Sequence, residues 1–156
     1  MNAEIIKLAS ELFQLLIDGT KDNSVQWINV DKLSDYNKGD FELVLKYVQK
    51  RLLNNLASCG ENSYYVCTDN TLLVLLCFKN IISNELVYEL ISINKDGKLI
   101  VFSDYDEKKY SLRLGNLIKF HTISDGDDSR EDVESIKAVV GEFQDSESFV
   151  TDAIEK

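Results

Sequence analysis

The run Leu72-Leu73-Val74-Leu75-Leu76-Cys77-Phe78 places seven apolar residues in succession between polar pairs, Asp69-Asn70 before it and Lys79-Asn80 after it. An extended segment of this composition has two hydrophobic faces, which is the pattern of a strand covered on both sides. The rest of the chain reads as cover for this strand and as its neighbours in a sheet.

Upstream, the period is helical. Ile5, Leu8, Ala9, Leu12, Phe13, Leu15 and Leu16 form one broad stripe over Ala3 to Ile17, with Asn2 available as N-cap and Gly19 as the residue after the helix. Val25 to Val30 alternates imperfectly and reads as a short strand or as an extended loop packing Trp27. A second helix is predicted from Asp40, as cap, to about Ser58, where Phe41, Val44, Leu45, Val48, Leu52 and Leu56 recur at three- and four-residue intervals and Gly60 follows.

From Ser63 the pattern becomes extended. Tyr64 to Cys67, Leu72 to Phe78, Leu86 to Ile93 and Lys98 to Phe102 are predicted strands. Asn94-Lys95-Asp96-Gly97 supplies a hairpin turn with glycine at the left-handed position. Tyr110 to Leu114 alternates cleanly and, after Gly115-Asn116, Leu117 to His121 continues in the same way. Connections this short join antiparallel neighbours, because a parallel crossover needs a dozen residues or more. The expected fold class is therefore α+β. It consists of a five- or six-stranded antiparallel meander, two N-terminal helices packed on one face, and one or two C-terminal helices on the same face or at its edge. Of the latter, one is predicted from Asp128 through Phe143, where Asp128 and Glu131 form a capping-box pattern, and a short one from Ser146.

A chain of 156 residues with 44% hydrophobic content has the size of one domain, here residues 1 to 156. Its apolar runs are far shorter than the ~20 residues that span a bilayer. Glu4, Lys7, Ser10, Glu11 and Gln14 interrupt the N-terminal stretch at helical intervals, so it reads as an amphipathic helix and not as a signal peptide. The cysteines, Cys59, Cys67 and Cys77, are odd in number and contain no C-x-x-C pair, which suits core residues in a reducing compartment and a cytoplasmic location.

Charge changes this picture. Of the formal net charge of −10, the segment from Thr122 onward carries −8, with 11 acids against Arg130, Lys137 and Lys156. Residues 1 to 121 carry only −2. A field of this kind repels nucleic acid and anionic membranes and attracts basic partners. Asp125, Asp127, Asp128, Glu131, Asp132 and Glu134 are the candidate partner-binding residues. Concentrated like charge lowers stability unless a partner relieves it, whereas a charged outer helix face can also be merely solvated.

Candidate chemistry is sparse. His121 is the only histidine, which excludes two-histidine metal motifs. Asp125 could orient it as a base toward a cysteine or serine, but no catalytic signature flanks any of these, and a histidine at a strand end beside an acidic loop is the simpler reading. Asp125-Gly126-Asp127-Asp128 clusters oxygen donors, yet in the register of a calcium loop Arg130 falls where glycine is needed and Ile136 where glutamate is needed. The glycines at 19, 39, 60, 97, 115, 126 and 141 are dispersed, so none forms a phosphate-cradling loop. Tyr64, Tyr65, Tyr105 and Tyr110 lack the basic neighbours of a base-stacking platform. No metal, cofactor or catalytic residue is expected. The expected function is that of a small acidic, cytosolic, protein-binding inhibitor of the immunity or antitoxin type, which occludes a basic, nucleic-acid-acting toxin or enzyme. The alternative is a small-ligand-binding or structural domain whose acids only keep it soluble.

Overall fold

The computed structural model describes residues 3–68, 71–106 and 109–119. The fold is α+β, a six-stranded antiparallel sheet with helices on both faces. Helix α1 (Ala3–Lys21) is followed by β1 (Ile28–Asn29), α2 (Leu33–Tyr36), α3 (Lys38–Arg51) and β2 (Leu56–Ser58). Then come β3 (Tyr64–Thr68), β4 (Thr71–Asn80), β5 (Leu86–Asn94), β6 (Leu99–Val101) and α4 (Tyr110–Ile118). The strands lie in the order β1-β3-β4-β5-β6, and β2 pairs with the far end of β4 beyond β3. The four strands β3 to β6 form the expected meander.

Strand β4 contains the apolar run and is the central strand. Because successive side chains alternate, Leu73, Leu75 and Cys77 pack toward α1 and α4, and Leu72, Val74, Leu76 and Phe78 toward α2 and α3. The two N-terminal helices thus cover opposite faces, where packing on one face was expected. The run itself requires this, since a strand apolar on both sides would leave one face bare if both helices lay together.

Helix α1 buries Ile5, Leu8, Ala9, Leu12, Phe13, Leu16 and Ile17 and runs four residues past the expected end. Gly19 does not stop it, because its φ is not positive and a Cβ at this position would collide with Val25. The last turn is held by Thr20, whose hydroxyl donates to Leu16 O at 2.7 Å and accepts Trp27 Nε1–H at 2.9 Å. Only Ile28 and Asn29 of the expected 25–30 strand pair with β3, and Trp27 is buried beside them. The expected cap Asn2 lies outside the described residues, as does the turn Asp69-Asn70.

Helix α3 starts two residues before Asp40 because Asn37 is its cap, with Asn37 Oδ1 accepting Asp40 N–H at 3.0 Å. It ends at Arg51 instead of continuing to Ser58. Asn55 turns the chain through the left-handed region (φ 60°), and Leu56, Ala57 and Ser58 pair with Asn80, Lys79 and Phe78. Tertiary pairing therefore overrides a helical period that continues on paper to Leu56.

The strand expected at 110–114 is replaced by α4, which also takes in Leu117 and Ile118 of the strand expected at 117–121, whose last two residues lie outside the described ones. Asp106 fixes its start, accepting the N–H groups of Tyr110 (2.8 Å) and Ser111 (2.9 Å) and the Ser111 hydroxyl (2.8 Å). Ser111, Leu114, Gly115 and Ile118 are buried, a spacing of three and four that the alternation of the first five residues conceals. Gly115 lies inside the helix, where it lets the backbone approach the ring of Tyr88. The turn at Asn94 to Gly97 forms as expected, with Gly97 at φ 79° and Asn94 Oδ1 accepting Asp96 N–H and Lys98 N–H, both at 2.9 Å. The two predicted C-terminal helices fall outside the described residues.

Candidate functional site

Asp125, Asp127, Asp128, Glu131, Asp132 and Glu134, together with His121, lie outside the described residues. The tyrosines named above are dispersed, and Tyr110, contrary to expectation, has a basic neighbour, Arg113, whose Cζ lies 5.7 Å from its ring centroid. Tyr64 and Tyr65 are buried on opposite faces of the sheet, Tyr105 is buried, and Tyr110 stacks on Phe13 with ring centroids 6.1 Å apart. Among the described residues no group of three histidine, cysteine, aspartate or glutamate side chains could hold a metal ion.

Three features do stand out. The first is a polar cluster on the α3 face of the sheet. Glu89 in β5 sits opposite Leu76 and is only 7% exposed. It is met from α3 by Arg51, whose Nε lies 3.0 Å from each carboxylate oxygen and whose Nη2 contacts Oε2, and by the Tyr47 hydroxyl, which donates to Oε1 at 2.6 Å. A buried carboxylate with a guanidinium and a phenol donating to it is a closed arrangement. Burial, the charge of Glu89 and the hydrogen bond to it all push the Tyr47 hydroxyl far above its ordinary range. The Arg51 guanidinium is held charged chiefly by its hydrogen bonds to Glu89. Asp104 at the rim has its carboxyl raised by partial loss of hydration and by Glu89, with Arg51 opposing. With both oxygens of Glu89 engaged, the cluster joins helix to sheet. Its signal in the sequence was a single acid inside the otherwise apolar stretch Leu86 to Ile93.

The second feature lies on the α1 face, where Cys77 is flanked across the strands by Tyr88 of β5 and by Cys59 just beyond β2. The Tyr88 hydroxyl is buried without a well-formed hydrogen bond, because its neighbour, the Cys77 sulfur, is a poor acceptor. Lys119 Nζ lies 6.0 Å from the Tyr88 ring centroid. Burial, followed by the neighbouring Cys59, pushes the Cys77 thiol up to about 11. Cys67 is separated from this pair by the sheet, packing on the α3 face.

The third feature is an exposed apolar edge. After α3 the side chains of Leu52 and Leu53 face solvent, and in the turn between β4 and β5 those of Ile81 (59% exposed) and Ile82 (75%) do the same. A hydrogen bond from Ile81 N–H to Asn55 O (2.9 Å) ties the two turns together. The isoleucines are held on a formed turn, since Asn80 Oδ1 accepts Ile82 N–H (2.9 Å) and Ser83 N–H (3.1 Å) and Asn84 adopts φ 65°. The sequence gives little warning of this edge, because Leu52 fits the helical stripe that ends before it.

Compared with known protein families, with curated proteins and with solved structures, the chain has no significant match.

Proposed function

We propose that the chain is a small protein-binding inhibitor of the immunity or antitoxin type, acting in the cytoplasm by occluding a basic, nucleic-acid-acting partner. The observation that carries this reading is the distribution of charge, −8 of the net −10 lying from Thr122 onward. Carboxylates of Asp125, Asp127, Asp128, Glu131, Asp132 and Glu134 pair in this reading with lysines and arginines that otherwise hold phosphates, and long-range attraction speeds capture. The mechanism is occlusion, without turnover. Protein binding is favoured over a solubilising role by the second observation, the exposed edge of Leu53, Ile81 and Ile82. Apolar side chains held on an ordered turn, as Ile81 and Ile82 are, are the kind that become the dry centre of an interface, at little cost in ordering. Among the described residues no helix is long and apolar enough to cross a membrane.

The experiment is a binding measurement against the product of the adjacent reading frame, where an inhibitor of this type has its target. The association rate is expected to fall steeply with added salt. Reversal of Asp127, Asp128 and Glu131 to Lys should weaken binding far more than Glu42→Lys on the exposed side of α3. Salt-independent association, or equal effects at the two places, would overturn the proposal.

A further inference from the structure

Strand β2 pairs with β4 as Leu56 with Asn80, Ala57 with Lys79 and Ser58 with Phe78, so the next step of the register sets Cys59 opposite Cys77. The backbone bears this out, since Cys59 N–H donates to Cys77 O at 3.0 Å. The return bond of the pair is intercepted by a side chain. Cys77 N–H donates to Ser63 Oγ at 2.9 Å, and the Ser63 hydroxyl donates to Cys59 O at 3.0 Å. The two cysteines are therefore cross-strand neighbours held by backbone and hydroxyl contacts, and both pack against the same core on the α1 face. The thiols are near enough that Cys59 acts on the Cys77 thiol by charge and by a side-chain hydrogen bond. Opposed positions on antiparallel strands have Cα separations of about 4.5 to 5.5 Å, inside the span of about 4.4 to 6.8 Å that a disulfide bridges. Both thiols are free in the structure.

They differ in access. Cys77 is 1% exposed, whereas Cys59 is partly exposed and is followed by Gly60, around whose Cβ position there is open space. We propose that Cys59 and Cys77 form a thiol oxidation site that hydrogen peroxide converts reversibly into an intramolecular disulfide between β2 and β4. The Cys59 thiolate attacks one peroxide oxygen; the S–O bond forms, the O–O bond breaks, and the departing hydroxide takes up a proton to leave as water. Cys59 is then a sulfenic acid. The Cys77 sulfur attacks the Cys59 sulfur; the S–S bond forms, the S–O bond breaks, and the hydroxide leaves with the Cys77 thiol proton as a second water. Two thiols and one peroxide give one disulfide and two waters, so sulfur loses the two electrons that peroxide gains. A dithiol reductant reverses the change. Burial, which raises the Cys77 thiol, makes it the resolving partner, while access makes Cys59 the attacking one. Cys67, on the other face of the sheet, has no part in the reaction.

The test is to treat the intact chain with hydrogen peroxide under native conditions and to read the mass, the free thiols and the peptide map. The expected result is a mass lower by two hydrogens, a fall from three titratable thiols to one, and a peptide linking Cys59 to Cys77, all restored by dithiothreitol. Cys67→Ser should still lose the two hydrogens, and Cys59→Ser should not. A chain that keeps all its thiols, a bond that includes Cys67, or linkage only between separate molecules would overturn the proposal. The wild-type peptide map decides the matter even if a cysteine variant folds poorly.

Discussion

Arg51 at the last turn of α3 holds both carboxylate oxygens of Glu89 from the middle of β5, joining helix and sheet across a face that is otherwise apolar. Arg51→Ala leaves the Glu89 charge buried with only Tyr47 as donor, and should cost about 3 kcal/mol in urea unfolding. Arg51→Met combined with Glu89→Leu should recover most of that loss, because well-packed apolar side chains replace a buried ion pair with little penalty. Equal destabilisation by the single and double variants would show that the pair does more than neutralise a buried charge.

Gly115→Ala separates helix propensity from packing. Propensity alone predicts that the change stabilises an internal helical position by about 1 kcal/mol. The added Cβ, however, overlaps the ring of buried Tyr88, and forcing apart a packed contact costs about 1 to 3 kcal/mol. A lower thermal midpoint is expected, relieved when Tyr88 is also made Leu.

Thr20 works through its hydroxyl. Thr20→Val keeps the shape but strands the buried Trp27 Nε1–H, at a cost of about 1 to 3 kcal/mol, whereas Thr20→Ser should stay near wild type. Chemical unfolding followed by the fluorescence of Trp27, the one tryptophan, makes the comparison.

Alkaline stability follows chiefly from the three most strongly raised groups among the described residues. Burial first of all lifts the Tyr47 and Tyr88 hydroxyls well above their ordinary 10 and the Cys77 thiol from 9 to about 11. Each group keeps its proton in the folded chain after the unfolded chain has lost it, so their contribution is full below pH 9 and is lost as the pH rises beyond. Unfolding free energy should fall by as much as about 1.4 kcal/mol per pH unit for each such group. Tyr88→Phe should flatten the slope and be neutral or stabilising at pH 7, since it removes a buried hydroxyl with no well-formed hydrogen bond. Tyr47→Phe should flatten it too, but cost stability at pH 7 through the lost bond to Glu89. Unfolding free energy that stays level from pH 8 to 11 would refute this assignment.

What could be read from the chain depended on how local its cause was. The two-faced run 72–78, the stripe of α1 and the Asn94–Gly97 turn carry their reasons within a few residues, and all three appear in the structure. Helix α4 reads as strand in the sequence because Tyr110 to Leu114 satisfies both periods. The deciding group is Asp106, four residues before the helix, together with a Gly115 that serves packing and not turning. The end of α3 reads late in the sequence because the helical spacing of Leu52 and Leu56 says nothing of the pairing that draws Leu56 into β2. Cys77 is legible as a core thiol from the apolar run that contains it, whereas Cys59, between the expected helix end and Gly60, is not. Their opposition depends on the register of β2 with β4, which no spacing along the chain reveals.

The outermost strands have a bearing on how a partner can be met. Strand β1 is two residues long and β6 three, and where β6 ends the Ser103 hydroxyl takes the Leu90 N–H that a longer strand would have bonded. A foreign peptide laid alongside either would find two or three residues of ladder, too few to hold it by backbone bonds and too few to template stacking between copies. At these two edges, among the described residues, a partner would be gripped by side chains more than by backbone.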